Sequence, residues 1–242
     1  VHIETAIRTR KSVRRFTQRP VARETVERIL ELAACAPSGN NIQPWQVHAV
    51  AGAEKMALSN DIMAAAQDPD AGMDPEYAYY PDQWFEPYLG RRRASGFGLY
   101  EKLGIDRQDF DARKQQELRN YSFFDAPVGI FVSLDRRLNT GSYMDLGMFV
   151  QNLMLAARGE GLHTCPQAAF AWYHPIVRQH LPLADEHLLV CGISLGYEDE
   201  TAPENSLRTL RAPVESFSSF HGFESQSQAT NVSTNRTTSV SS

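Results

Sequence analysis

The run Leu188-Leu189-Val190-Cys191-Gly192-Ile193-Ser194-Leu195 constrains this chain more than any other stretch. A strand with one wet face alternates polar and apolar residues, and this run does not, so it reads as a buried strand. Val128 to Leu134, entered through Ala126-Pro127, is a second apolar strand candidate. Val47 to Ala51, ended by Gly52, is a short third. Helical spacing occurs between them. Val26, Ile29, Leu30, Ala33 and Ala34 share one face of a helix over Arg23 to Cys35, which Ala36-Pro37 stops. Leu146, Phe149, Val150, Leu153, Met154 and Ala157 make the strongest stripe, closed by Gly159 and Gly161. Ala53 to Gln67 and the polar stretch Ile105 to Tyr121 also read as helices. Strands and helices mix, with helices dominant.

Ser225 to Ser242 holds six Ser and four Thr with almost no apolar residue. It offers too little apolar surface to offset ordering entropy, so residues 224–242 are expected to be disordered and residues 1–223 to form one domain. No apolar run approaches the roughly 20 residues that cross a bilayer. A net charge of −5 argues against a nucleic-acid binder. The cysteines, Cys35, Cys165 and Cys191, are far apart and odd in number. They make neither a disulfide framework nor a zinc pattern and suit a reducing, cytoplasmic setting, and no apolar signal core follows the basic N-terminus.

Three stretches carry polar chemistry. In Arg8 to Phe16, Arg10, Ser12 and Arg14 alternate, so an extended segment would present two guanidinium forks and a hydroxyl on one side, suited to an anion. A solvated basic face is the competing reading. The loop Pro37-Ser38-Gly39-Asn40-Asn41-Ile42-Gln43-Pro44-Trp45 supplies donors and acceptors of the kind that read a heteroaromatic edge; a polar turn anchored by Trp45 would look the same. Arg208 and Arg211 form a second basic spot. Gly192-Ile193-Ser194-Leu195-Gly196 matches the G-x-S-x-G of serine hydrolases. Tyr197 to Pro203 make a poor helix start after it, and a buried strand ending in a Gly turn explains the match better. Phosphate-loop, zinc-protease and dinucleotide fingerprints are absent, and the scattered His residues mark no metal site.

Taken in order, Arg10-Lys11-Ser12-Val13-Arg14-Arg15-Phe16, Ala36 to Trp45, Phe124-Asp125-Ala126-Pro127-Val128, Gly161 to Phe170, Gly192 to Tyr197 and Asn205 to Arg211 resemble the nitroreductase family of FMN-dependent oxidoreductases. The resemblance covers about residues 3 to 223 and implies an α+β three-layer sandwich with a central, mostly antiparallel sheet flanked by helices. It also implies an obligate homodimer sharing two FMN sites. By matching positions, Arg10, Lys11, Ser12 and Arg14 would bind the FMN phosphate and ribityl chain, and Arg208, Arg211 or both would close the phosphate pocket. Pro37, Ser38, Gly39 and Asn41 would come from the partner subunit and line the isoalloxazine. The backbone of Ala168 and Ala169 would face flavin N5, Pro166 would also bind the cofactor, and Asn120 would read the ring.

NAD(P)H would be the co-substrate, and a nitroaromatic or quinone the small aromatic acceptor. Reductive dehalogenation, flavin cleavage or non-catalytic flavin binding on the same fold are the alternatives. Residues 72–98, rich in aromatics and punctuated by Pro and Gly, read as a lid insertion, with Tyr80, Trp84 and Tyr88 toward the acceptor. Arg91, Arg92 and Arg93 could attract a carboxylate-bearing acceptor or be a solvated helix start.

Overall fold

The computed structural model of the chain describes residues 1–68 and 70–223; the stretch 224–242, expected to be disordered, lies outside the described residues. The chain divides into two compact units, the first Val1–Arg208 and the second beginning at Thr209, inside the span expected to form one domain. Within the described part of the second unit, Val214–Ser216 makes a single 3-10 turn, and Phe220 meets Phe223 edge-on at 5.7 Å.

The first unit is built on a four-stranded sheet, β1 (Gln46–Ala51), β2 (Val128–Asp135), β3 (His163–Gln167) and β4 (His187–Gly196). Every pairing is antiparallel, in the order β1-β2-β4-β3. The two apolar runs are therefore the two central strands, where burial on both faces removes the need for alternation. Seven α-helices among the described residues accompany it: α1 (Ile3–Thr9), α2 (Arg23–Ala33), α3 (Gly52–Gln67), α4 (Tyr88–Leu103), α5 (Phe110–Leu118), α6 (Thr140–Gly159) and α7 (His174–His180).

On one face, Val128, Ile130, Val132 and Leu134 of β2 and Ile193 and Leu195 of β4 pack against Val26 and Ile29 of α2 and the α6 stripe. Trp45 lies flat on Phe149 of that stripe, centroids 4.9 Å apart, which fixes the end of the 37–45 loop. On the other face, Phe131, Cys165 and Leu189 meet Leu58 and Ile62 of α3 and Ile176 and Val177 of α7. Helices thus cover both faces of the sheet, as the α+β sandwich requires.

Several local expectations are corrected. The lid insertion expected over 72–98 is only partly a loop, because α4 begins at Tyr88 and takes its second half. The polar helix is only Phe110–Leu118, because Gly104 in the left-handed region ends α4 and the Asp109 carboxylate caps α5 by accepting from Ala112 N–H at 2.9 Å. The first strong stripe ends at Ala33 rather than Cys35. β3, α1 and α7 have no counterpart among the expected elements. Ser194 of G-x-S-x-G lies fully buried inside β4, with no elbow.

Phe170 stacks on Phe123 at 4.5 Å and meets Phe131 edge-on at 5.2 Å. That close approach needs Gly192, where an added Cβ would lie 2.3 Å from the Phe170 ring. Gly192→Ala must displace a fully buried ring, and overpacking of this kind costs about 1–3 kcal/mol. The melting temperature should fall by at least about 2 °C in a thermal scan; an unchanged value would mean that the ring stack yields freely.

Candidate functional site

Residues 10–16 leave α1 as extended chain. Ser12 forms a parallel bridge with Thr164 of β3, and Val13 N–H donates to the Thr164 carbonyl at 3.1 Å. Val13 is fully buried, while Arg10, Ser12 and Arg14 are half-buried. The three lie around the Cys165 thiol: burial pushes that thiol up, and Arg14, a hydrogen bond with Ser12, and Arg10 oppose the shift. The alternation seen in sequence thus gathers two guanidinium groups and a hydroxyl against β3.

Lys11 is engaged within the chain. Its ammonium forms an ion pair with Glu198 and donates to the Asn205 carbonyl at 2.7 Å. Arg208 Nη1 donates to the same carbonyl at 3.2 Å, so the second basic spot does converge on the first through Arg208. Arg211 belongs to the second unit, where its Nη1 donates to Thr209 Oγ1 at 2.7 Å and to the Thr209 carbonyl.

Behind Lys11 lies a buried charge cluster. Arg158 Nη1 is 2.7 Å from His163 Nε2, and Glu198 Oε2 is 3.1 Å from the same nitrogen. Arg158 can only donate, so Nε2 accepts and the ring proton sits on Nδ1, which is buried without a hydrogen-bond partner among the described residues. The short His163–Glu198 contact is therefore not a charged pair. Burial first, then Arg158, Lys11 and Arg208, hold the His163 pKa down to about 4.

β3 leads directly into the floor of the largest described cavity. Pro166, Gln167, Ala168 and Ala169 line a space of ≈ 820 Å³. Its walls include Tyr77, Tyr79, Tyr80, Tyr121, Trp172 and Tyr173, and a neighbouring cavity of ≈ 670 Å³ shares Tyr77, Tyr79 and Pro166 to Ala168. Gln167 is locked from two sides: its Nε2 donates to the Asn120 carbonyl at 2.7 Å, and its Oε1 accepts from Ser194 Oγ at 2.6 Å. Ser194 is thus a structural donor. Asn120 lines the larger cavity, and its Nδ2 donates to the Glu117 carbonyl at 2.8 Å. The Tyr77 hydroxyl donates to the Val190 carbonyl at 2.6 Å, and Glu76 beside it is held by Arg136 at 2.7 Å and Arg178 at 3.4 Å. Of the aromatic residues expected toward the acceptor, Tyr80 lines the cavity, and Trp84 stands behind it at 5.1 Å. Tyr88 opens α4 and pairs edge-on with Phe85.

The 37–45 loop is not among the residues that line either cavity. Gly39 N–H donates to the buried Asp145 carboxylate at 3.2 Å, and Gln43 N–H to Ser38 Oγ at 3.0 Å. Asn40, Asn41 and Gln43 adopt left-handed backbone conformations, and Pro37, Gly39 and Asn41 are exposed. The loop is a built polar display on the surface, apart from both cavities. Sequence reading missed Glu198, Glu204, Asn205 and Gln167; the only signal was that all four sit in or beside the family-like stretches. Among the described residues, no group of three or more His, Cys, Asp or Glu could hold a metal ion, and no helix is long and apolar enough to cross a membrane.

Known proteins share this geometry. Residues 7–197 match the model of the nitroreductase family. The chain is 38% identical over 218 residues to nitrobenzene nitroreductase of Ectopseudomonas oleovorans, covering 90% of this chain and 96% of that one. It is 42% identical to 4-nitrobenzoate reductase of Nocardioides sp. (strain LMS-CY), with 86% and 85% covered. Among solved structures, the FMN and NADPH-dependent nitroreductase NfnB of Sphigopyxis sp. strain HMH superposes with a TM-score of 0.89 at 38% identity, covering 92% of this chain and all of that one. The FMN-dependent NfnB of Mycobacterium smegmatis, solved in complex with NADPH, gives 0.85 at 32% identity, with 90% and 97% covered.

The charge cluster behind Lys11 makes a pH prediction. A His whose folded pKa lies below its unfolded value of about 6.5 favours the folded state above that value, and this contribution is lost as pH falls through the window toward 4. His163→Gln removes the titration. The melting temperature of the variant should therefore drop less than that of the parent between pH 7 and pH 4.5; equal drops would show that His163 does not titrate in this way.

Proposed function

Because this chain belongs to the nitroreductase family, we propose that it is an FMN-dependent oxidoreductase that takes hydride from NAD(P)H and delivers it to nitroaromatic acceptors. The observation that carries the reading is the juxtaposition on β3. Thr164 pairs with the segment bearing Arg10, Ser12 and Arg14, and Pro166 to Ala169 follow at once as a small-residue floor under aromatic walls. The donor set fits a phosphate, and a floor of Pro and Ala fits a flat ring, so FMN suits both ends of the site. That a chain of net charge −5 concentrates cations here is itself an argument for a bound anion.

When bound, FMN supplies the two-electron hydride chemistry at N5, which is why the site needs neither a nucleophile triad nor a metal. The protein's own part is to bind and orient. Arg10, Ser12, Arg14 and Arg208 hold the phosphate and ribityl end, with Lys11 positioned by Glu198 to fix the strand they lie on. Gln167, pinned by Ser194 and Asn120, holds the 166–169 floor, and Asn120 stands ready to read the ring edge. Tyr77, Tyr79, Tyr80 and Trp172 exclude water and give a flat acceptor a stacking surface. Together with α4, the 72–87 stretch acts as the acceptor-selecting wall.

We read the assembly as a homodimer. The 37–45 loop faces away from its own cavities yet carries Ser38, Gly39 and Asn41 on a rigid frame, so a partner's loop would complete each site. The three free cysteines suit a cytoplasmic setting, and quinones are a reasonable second acceptor class.

The test is a steady-state assay. The purified protein should oxidise NADPH when a nitroarene or a quinone is supplied, and a haloarene panel should release no halide. A charged hydrogen bond is worth about 1.5–3 kcal/mol, so Arg14→Ala should weaken FMN binding roughly tenfold to a hundredfold. Halide release, or FMN retention by Arg14→Ala equal to the parent after dialysis, would go against the reading.

A further inference from the structure

The consecutive arginines of α4 diverge. Arg91 lies over Tyr88 at 5.9 Å. Arg93 lines a separate cavity with Phe97, Glu101 and Asp106. Arg92 alone reaches the aromatic cavity above the 166–169 floor, and it is the one cation among the described residues that line it. Its guanidinium lies 4.9 Å over the Trp84 ring, and Trp84 in turn rests on Tyr80. No carboxylate or carbonyl among the described residues pairs with it, so the cation–π contact with Trp84 leaves its fork of N–H donors unspent.

We propose that Arg92 is a specificity-determining residue that binds the carboxylate of the acceptor, making carboxylate-bearing nitroarenes of the nitrobenzoate type the preferred substrate class. The inference rests on the nitroreductase reading and deepens it. A planar guanidinium matches a planar carboxylate bidentately, and the tilted Tyr80–Trp84 pair holds it at the aromatic wall where a flat ring would lie. The one acid lining the cavity, Glu117 of α5, is exposed. Like charge disfavours a carboxylate beside it, which leaves Arg92 as the cationic partner for the acceptor's anionic end among the described lining residues. A neutral nitroarene has no group for this fork and forgoes the contact.

The test uses the holoenzyme and two readouts. In steady state, Arg92→Gln should lower the ratio of kcat/KM for 4-nitrobenzoate to that for nitrobenzene by roughly tenfold or more, with KM for 4-nitrobenzoate carrying the change. By calorimetry, benzoate, which has no reducible group, should bind the parent and bind Arg92→Gln roughly tenfold or more weakly, and Arg92→Lys should recover part of that loss. An unchanged ratio, equal benzoate affinity in parent and Arg92→Gln, or no benzoate binding to the parent would overturn the proposal. Failure of Arg92→Lys to recover any affinity would assign the effect to packing on Trp84 and would overturn it as well. If the parent reduced no nitroarene, the proposed reaction would fail, and the benzoate titration would still decide the role of Arg92.

Discussion

The site depends on a buried polar clamp at Glu204 and Asn205, each only 2% exposed. A carboxylate taken out of water at that depth is costly unless it is paired. Glu204 is paired with Arg119 at 2.8 Å and Arg15 at 3.4 Å, and Asp125 ties the same two arginines together at 3.1 and 2.8 Å. Asn205 accepts from Arg14 N–H at 2.8 Å and donates to the carbonyls of Arg15 and Asp199 at 2.8 and 2.9 Å. Its own carbonyl takes Lys11 and Arg208. Removing one partner of such a buried network costs about 3–5 kcal/mol, which is why the 11–15 segment cannot wander. Five basic side chains crowded between residues 8 and 15 would otherwise repel one another into solvent.

The clamp also explains the division of labour among those side chains. Lys11, Arg15 and Arg119 are spent on Glu198, Glu204 and Asp125. Arg10 and Arg14, together with Ser12, stay beside β3, where Cys165 senses all three. Glu198, Glu204 and Asp125 neutralise those structural cations, and Arg10, Ser12 and Arg14 lie together at the same end of β3. One strand, β3, then carries the order from the basic segment at Thr164 to the cavity floor at Pro166 to Ala169.

How much of this was legible in sequence depends on the physics of each element. β2, β4, α2 and α6 bury whole strands or one broad stripe, and such burial writes an apolar pattern into the chain. β3 did not announce itself, because an edge strand tolerates Pro166 and His163-Thr164-Cys165-Pro166-Gln167 has no period. The start of α4 was hidden for a related reason: no residue of Tyr88–Leu103 is fully buried, so there is no stripe, and Gly90, Gly96 and Gly98 imitate a loop. α1 and α7 are single short helices held by one or two buried residues. In the site, the alternation of Arg10, Ser12 and Arg14 could be read locally. The commitment of Lys11 could not, because Glu198 lies 187 residues away, and neither could the clamp, whose partners are some of the most distant in the chain. Only the ordered set of family-like stretches hinted that these ends meet.

The central claim is that this clamp holds a phosphate cradle in place before any ligand arrives. Titrating the apoprotein with FMN and with riboflavin, which differ only in the phosphate, tests it most directly through quenching of flavin fluorescence. With two or more charged hydrogen bonds to the phosphate, FMN should bind at least about a hundredfold more tightly than riboflavin, and Asn205→Ala should shrink that preference. Equal affinity for the two flavins, or a preference that Asn205→Ala leaves untouched, would contradict the account.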